Sequence, residues 1–101
     1  MDKISIVTVV FNMKEEFKKT IENILSQTYD NLEIIIIDGG STDGTVDVIK
    51  KYDHKIAYWV SEPDKNIYHA MNKGIVKSTG KWINFMNAGD LYYDKNVIKN
   101  V

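Results

Sequence analysis

The residues most suited to binding chemistry lie in four polar stretches, each directly after an apolar run: FN, DGGSTDGT, SEPDKN and NAGD. In the second stretch Asp38 follows four consecutive isoleucines, so a carboxylate stands where the most apolar run of the chain ends. This carboxylate is suited to accept a hydrogen bond from a ligand N–H. Gly39 and Gly40 would let a flat group approach the backbone, because no Cβ obstructs it. An equally simple interpretation stays open, in which Asp38 accepts bonds only from the amides of its own turn.

The elements that must position these residues alternate between strand and helix. The predicted elements are, in order, strand Ile4–Val10, helix Met13–Gln27, strand Leu32–Ile37, helix Thr45–Tyr52, strand Ile56–Val60, helix Ile67–Lys77 and strand Trp82–Met86. This alternation implies right-handed crossovers and an α/β fold, in which a mostly parallel, Rossmann-like sheet lies between two helical layers. Ligands of such sheets bind beyond the carboxyl ends of the strands. The four polar stretches should therefore share one edge of the sheet.

Three residues carry structural predictions of their own. Asn12 is a favourable N-cap for the first helix, with Glu15 three residues later. Asp43 is suited to cap the second helix in the same way. Gly74 falls inside the third helix, where a glycine costs about 1 kcal/mol relative to alanine. Its presence there indicates close packing or a close approach of backbone.

Composition excludes several classes of protein. The chain has 101 residues, 44% of them hydrophobic, which allows one domain with one core. A net charge of -1 gives no attraction for nucleic acid, and the absence of cysteine excludes a disulfide, a thiol nucleophile or Cys-ligated zinc. The glycines fit neither the dinucleotide fingerprint nor a phosphate-binding loop. No run approaches the roughly 18 apolar residues of a membrane-crossing helix. We therefore expect a cytoplasmic protein, and leave attachment to the inner face of the membrane open.

Taken together, the segments SIVTVVFN, IIIIDGGSTDGT, EPDKNIYHAMNKGI and TGKWINFMNAGD resemble, in order and spacing, family 2 glycosyltransferases of the GT-A fold. The resemblance extends from Ser5 to Asp90, and its third segment is similar to bacterial members that build surface polysaccharides. It implies that residues 1–101 form the nucleotide-sugar-binding (donor) domain of a longer, inverting transferase. Such an enzyme moves a sugar from a uridine or guanosine diphosphate donor to a saccharide or lipid-linked acceptor, usually with a divalent cation, Mn²⁺ or Mg²⁺.

The resemblance also implies which residues bind the nucleotide. These are Phe11, Asn12, Asp38, Gly39, Asp64 and Asn72. Phe11 would offer a stacking face, and Asp38 would accept an N–H of a uracil-like or guanine-like base. Gly39 stands where many members carry a second acid, and Lys65 would meet the diphosphate as a point cation. The alternatives are a core aromatic for Phe11 and a solvated turn for Asp64.

The stretch NAGD is where the resemblance places the metal. Asn87 and Gly89 occupy positions at which many members carry two aspartates, so Asp90 is the carboxylate left to hold the cation. Mg²⁺ typically uses one or two carboxylates together with phosphate oxygens. The alternative is that Asp90 only caps the following turn. The general base lies well downstream in the family, and is therefore expected beyond Val101, so this chain alone would bind nucleotide without turnover.

Two other classes of function stay open. A non-catalytic nucleotide-binding or assembly module would have the same fold. A phosphoacceptor receiver would usually carry an acid pair after the first strand, where VVFN supplies none. If the sheet ends at its fourth strand, apolar surface from Trp82, Phe85 and Met86 would lie bare at an unpaired edge, which predicts self-association.

Overall fold

A computed structural model describes residues 2–91 and gives a parallel α/β sandwich in three layers. The strands are β1 (Ile4–Val10), β2 (Leu32–Asp38), β3 (Tyr58–Ser61) and β4 (Trp82–Phe85); the helices are α1 (Lys14–Leu25), α2 (Thr45–Lys51) and α3 (Ile67–Lys77). The strand order is β3-β2-β1-β4, and every neighbouring pair is parallel. The predicted fold class is confirmed.

The isoleucine run of β2 is buried on both faces of the sheet. Ile34 and Ile36 face the core cluster beneath α1 and α2, which includes Phe17 and Ile49. Ile35 and Ile37 belong to a second cluster, beneath α3. A parallel strand covered on both sides needs apolar residues at every position, because no face meets water. The unbroken run therefore places β2 at the centre of the fold.

The prediction that Asn12 caps α1 is wrong. The residue at the cap position is Met13, whose side chain makes no capping bond. Asn12 has a positive φ of 48°, a conformation that asparagine tolerates better than most residues. The capping role belongs to Asp43, whose carboxylate accepts the first amide of both helices, from Lys14 and from Thr45, each at 3.0 Å. A tertiary contact thus replaces the local cap.

Several predicted boundaries also shift. β2 continues through Asp38, which pairs with Val10 in register. β3 begins at Tyr58 instead of Ile56, because a 3-10 turn at Asp53–Lys55 occupies the chain just before it. α1 and α2 begin or end one or two residues inside their predicted limits, whereas β1 and α3 have the predicted bounds.

Gly74 is required by the packing of α3 on the sheet. A Cβ built on Gly74 would lie 2.3 Å from Cγ1 of Val7, well inside contact distance. The helix can therefore rest directly on β1 only if this residue has no side chain, which confirms the predicted close approach.

At the amino edge of the sheet, the carboxylate of Glu33 accepts several hydrogen bonds that join neighbouring segments. Glu33 accepts hydrogen bonds from Ser5 Oγ at 2.8 Å, from Thr79 N at 2.8 Å and from Thr79 Oγ1 at 2.6 Å. These bonds fix the turn between α3 and β4 against the start of β1 and β2. The amino edge is therefore occupied by structural contacts.

Apolar exposure at β4 differs from the prediction. Trp82 is 60% exposed, but Met86 is buried in the cluster beneath α1 and α2, and Phe85 packs against the cluster beneath α3. Self-association therefore stays a prediction that rests on Trp82 and its neighbour Ile83. Within residues 2–91, no helix combines the length and the hydrophobicity needed to cross a bilayer.

Candidate functional site

The four polar stretches meet at the carboxyl edge of the sheet, as predicted. Gly39 N donates to Val10 O at 2.9 Å, which joins the second loop to the end of β1. The fourth loop is joined to β1 by two bonds, from Ala88 N to Val9 O at 3.1 Å and from Val9 N to Asn87 Oδ1 at 3.3 Å. The strand order reverses at β1, and this reversal is where open α/β sheets form a ligand crevice.

Asp38 organises the loop that follows β2. Its side chain is fully buried. Oδ2 accepts from Gly40 N at 3.1 Å, from Ser41 N at 2.8 Å and from Ser61 Oγ at 2.7 Å, and Oδ1 accepts from Ser41 Oγ at 2.6 Å. The interpretation as a turn acid is therefore correct, and Ser61, which sequence analysis missed, ties the third loop to the same carboxylate. Oδ1 has the greater remaining capacity to accept a bond.

Asn12 fastens the first loop to the second. Its backbone N donates to Ser41 Oγ at 2.8 Å, and its side-chain Oδ1 accepts from Thr42 N at 2.8 Å. Asn12 therefore has its positive φ at the point where the first and second loops are joined. Asn12 is thus placed in the predicted site, but as a support of the loop.

Three of the predicted residues, Phe11, Gly39 and Asp64, lie close together. A Cβ on Gly39 would lie 3.2 Å from Cδ1 of Phe11 and 3.6 Å from Oδ2 of Asp64. Phe11 is 57% exposed, so the alternative of a core aromatic is wrong and its ring is available to a ligand. The absence of a side chain at Gly39 allows the Phe11 ring and the Asp64 carboxylate to lie close to its backbone.

Asp64 is not a solvated turn residue, because its side chain is only 9% exposed. It accepts a short hydrogen bond from Lys73, which also pairs with Glu62 at 2.8 Å. The bonds to Asp64 and Glu62 raise the pKa of Lys73, and the bond from Lys73 lowers the pKa of Glu62. His69 lies beside this pair, with Nδ1 3.8 Å from Asp64 Oδ1, and its Nδ1 accepts a hydrogen bond from Lys65 N at 3.1 Å. The carboxylate of Asp64 is therefore held in one place.

Asn72 is placed on a different feature from Phe11 and Gly39. It is exposed on α3 and lines a cavity of about 380 Å³ between α3 and β3. The lining includes Glu62 and Lys73, which connect the cavity to the network around Asp64. Asn72 is therefore a neighbour of the site, reached through Lys73.

Asp90 closes the fourth loop on itself. Its Oδ2 accepts from Asn87 N at 3.0 Å, and its own N donates to Asn87 O at 2.8 Å. Asp90 thus closes the turn that precedes it, whereas the following turn, which the sequence alternative had Asp90 cap, lies outside the described residues. In the part of the chain that the structure describes, no cluster of three acidic, histidine or cysteine ligands could hold a metal. Asp90 is nevertheless exposed. A single accessible carboxylate fits a cation that takes its other ligands from phosphate and water.

Sequence analysis missed Thr20 and Lys73. Thr20 lies on α1 at the spacing of the buried residues Phe17, Ile21 and Ile24, and is itself fully buried. A hydroxyl at a core position of a helix was the available signal, because a buried hydroxyl needs a partner. For Lys73 the sequence offers no signal, since its partners come from the preceding loop.

The fold and the interlocked loops define a class: a Rossmann-like α/β domain whose polar loops gather at the carboxyl edge of a parallel sheet. Residues 5–101 match Glycosyl transferase family 2, and the chain belongs to that family. An uncharacterized glycosyltransferase of Mycobacterium tuberculosis is 34% identical over 96 residues, covering 94% of this chain and 37% of that protein. Glycosyltransferase GlyA of Streptococcus pneumoniae is 30% identical over 92 residues, covering 88% of this chain and 13% of that protein.

Solved structures share the fold. A mannosyltransferase from Pyrobaculum calidifontis, in complex with GDP-Man and Mn²⁺, superimposes with a TM-score of 0.89 at 23% identity, over 98% of this chain and 31% of that one. TarS of S. aureus, residues 1–349 in complex with UDP-GlcNAc, gives a TM-score of 0.86 at 18% identity, over 97% of this chain and 29% of that one. The chain therefore spans about a third of each of these structures and of the mycobacterial relative.

Proposed function

We propose that this chain is the donor-binding part of a glycosyltransferase and binds a nucleoside diphosphate sugar at the carboxyl edge of its sheet. The observation that carries the proposal is that the exposed ring of Phe11 and the fixed carboxylate of Asp64 lie together beside Gly39. These groups suit a flat base, since an aromatic ring offers a stacking face and a carboxylate accepts base N–H groups.

In this proposal the base stacks on Phe11 and passes over Gly39. Asp38 holds the turn through Oδ2 and leaves Oδ1 to accept an N–H of the base. Because Asp38 is fully buried, this contact requires the groups around Oδ1 to move apart. Uracil and guanine both carry a suitable N–H, so the donor is of the uridine or guanosine type.

The diphosphate would lie toward β1 and β4, where the fourth loop presents Asp90. The structural neighbour with GDP-Man contains Mn²⁺, and the exposed carboxylate of Asp90 fits a cation whose remaining ligands are phosphate and water. When bound, the cation would neutralise charge on the diphosphate leaving group. Lys65 adds a positive charge from the third loop, and the support of the Asp90 turn by Asn87 fixes where the cation is held.

Sugar transfer itself is a proposal for the whole protein. Relatives are longer than this chain, and the general base that would take the proton of a saccharide or lipid-linked acceptor is expected outside residues 1–101. We therefore expect nucleotide binding by this chain and no turnover. The alternative is a non-catalytic module of the same fold: a nucleotide-binding module would bind nucleotide without turnover in the whole protein, whereas an assembly module would show neither nucleotide binding nor a metal effect.

Titration calorimetry with UDP and with GDP, each in Mn²⁺ and in EDTA, tests the proposal. Phe11→Ala should weaken binding of the preferred nucleotide about tenfold, because stacking of one base is worth about 1–3 kcal/mol. Trp82→Ala is the matched control: Trp82 is 60% exposed, close to the 57% of Phe11, but lies at the start of β4 on the opposite edge. Equal losses in both variants, or no binding by the folded wild-type chain, would contradict the proposal.

A further inference from the structure

We infer that Thr20 is a positioning residue, whose buried hydroxyl sets the loop that presents Asp90. The inference rests on the proposed function, in which Asp90 holds the cation. Thr20 belongs to α1 and lies 69 residues before Gly89 in the chain, yet it contacts the fourth loop directly. It would act on the cation through Asp90 without touching it.

The hydroxyl of Thr20 makes three contacts. Oγ1 accepts a hydrogen bond from Gly89 N at 2.9 Å. It also lies 3.0 Å from Asp90 O and 3.0 Å from Glu16 O, both of which are acceptors. A hydroxyl has one proton to donate, so the two carbonyls share it, while its lone pair serves Gly89. One buried atom thus contacts the peptide group that precedes Gly89 and the peptide group that follows Asp90, so it holds both ends of this two-residue segment.

These contacts complete the support of the loop. The first residue of the loop, Asn87, ties it to β1, because Val9 N donates to Asn87 Oδ1. Asp90 Oδ2 is tied back to Asn87 N, so the direction of the carboxylate depends on the backbone of residues 89 and 90. Gly89 has a φ of 98°, which most residues do not adopt, and needs a partner to fix it. Thr20 supplies that partner from α1.

A residue that orients a metal ligand affects the metal more than the organic ligand. Loss of such an outer contact typically lowers metal affinity by 10–100-fold. Removal of the Thr20 hydroxyl should therefore lower the affinity for the cation specifically. The base, which lies at Phe11 and Gly39 in the proposed function, should bind as before when no metal is present.

The variants are Thr20→Val, which removes the hydroxyl at nearly constant shape, and Thr20→Ser, which retains it. Thr8→Val is the matched control: Thr8 is also fully buried, and its Oγ1 has no hydrogen-bond partner among residues 2–91. Free Mn²⁺ is measured by electron paramagnetic resonance in chain saturated with UDP or GDP. Thr20→Val should lower the affinity for Mn²⁺ about tenfold, whereas the affinities of Thr20→Ser and Thr8→Val should stay within about twofold of wild type. Nucleotide affinity in EDTA should be the same in all four proteins.

Wild-type Mn²⁺ affinity in Thr20→Val would overturn the inference. An equal loss of nucleotide affinity in EDTA would also overturn it, because that pattern belongs to general loosening of the fold. Hydrogen exchange of the Gly89 amide separates this inference from the proposed function: exchange should accelerate in Thr20→Val and not in Thr8→Val. If the wild-type chain binds no nucleotide, the proposed function fails, and unchanged Gly89 exchange would then refute the role of Thr20 as well.

Discussion

Replacement of Asp38 by alanine should destabilise the chain severely, because the carboxylate is the common acceptor of four hydrogen bonds. Two come from the amides of Gly40 and Ser41, and two from the hydroxyls of Ser41 and Ser61. The hydroxyls can rotate to other partners, but the two amides cannot. Each stranded amide costs about 1–3 kcal/mol, so Asp38→Ala should lose about 4 kcal/mol of unfolding free energy. That is a large part of the roughly 5–15 kcal/mol that stabilises an ordinary domain.

Asp38→Asn should be much milder. The amide oxygen can take the place of Oδ2 and keep the bonds from both amides and from Ser61. The NH₂ group then faces Ser41 Oγ and donates to it. Only the charge of the acceptor is lost, and without it the strength of each bond is roughly halved. Asp38→Asn should therefore lose about 1–2 kcal/mol of unfolding free energy.

Urea unfolding monitored by circular dichroism measures both values, with Asp90→Ala as the matched control. Asp90 also follows a strand, but it is exposed and accepts one amide, from Asn87, so its loss should cost about 1 kcal/mol or less. If Asp38→Ala costs no more than Asp90→Ala, Asp38 does not organise its loop and the account of the second loop is refuted. Binding experiments should use Asp38→Asn, since a failure of Asp38→Ala to bind would only report unfolding.

Two further predictions concern stability. Gly74→Ala should destabilise the chain by about 1–3 kcal/mol through overpacking against Val7, despite a gain of about 1 kcal/mol in helix propensity. Val7→Ala should relieve this clash, which a double-mutant cycle of urea unfolding measures. Additive effects of the two substitutions would show that the two residues do not touch. Burial acts to raise the pKa of Glu33, but hydrogen bonds from Thr79 and Ser5 outweigh it and hold the pKa below its ordinary value. The stabilisation by Glu33 is therefore present above the unfolded pKa of about 4.3 and is lost as the pH falls through the lower folded value. The difference in unfolding free energy between wild type and Glu33→Gln should accordingly be constant near pH 7 and shrink below about pH 4; a difference independent of pH would contradict this assignment.

The sequence was sufficient for the fold because its apolar pattern reflects burial directly. Four isoleucines in succession require a strand covered on both faces, and alternation with helices requires parallel pairing. From that topology alone the four polar stretches could be assigned to one edge. The same reasoning could not supply the cap of α1, because the capping carboxylate, Asp43, lies about thirty residues from Lys14 in the chain.

The site was predictable in position but not in detail. The exposure of Phe11 and the burial of Asp64 both depend on which loops meet, which no local pattern reveals. The side chain of Asp64 is only 9% exposed and is paired with Lys73, which comes from the following helix. The same limit applies to Thr20. The helical spacing of α1 indicates that Thr20 is a core position, but its partner Gly89 depends on how α1 packs against the fourth loop.

The central claim is that a nucleoside diphosphate binds at the carboxyl edge with a cation at Asp90. It is tested most directly by amide spectra of ¹⁵N-labelled chain with UDP or GDP, first with Mg²⁺ and then with traces of paramagnetic Mn²⁺. The account predicts shifts in the loops at Phe11 and Gly39, and Mn²⁺ broadening that begins at Gly89 and Asp90. Shifts and broadening that begin instead at the amino edge, around Thr79, would contradict it.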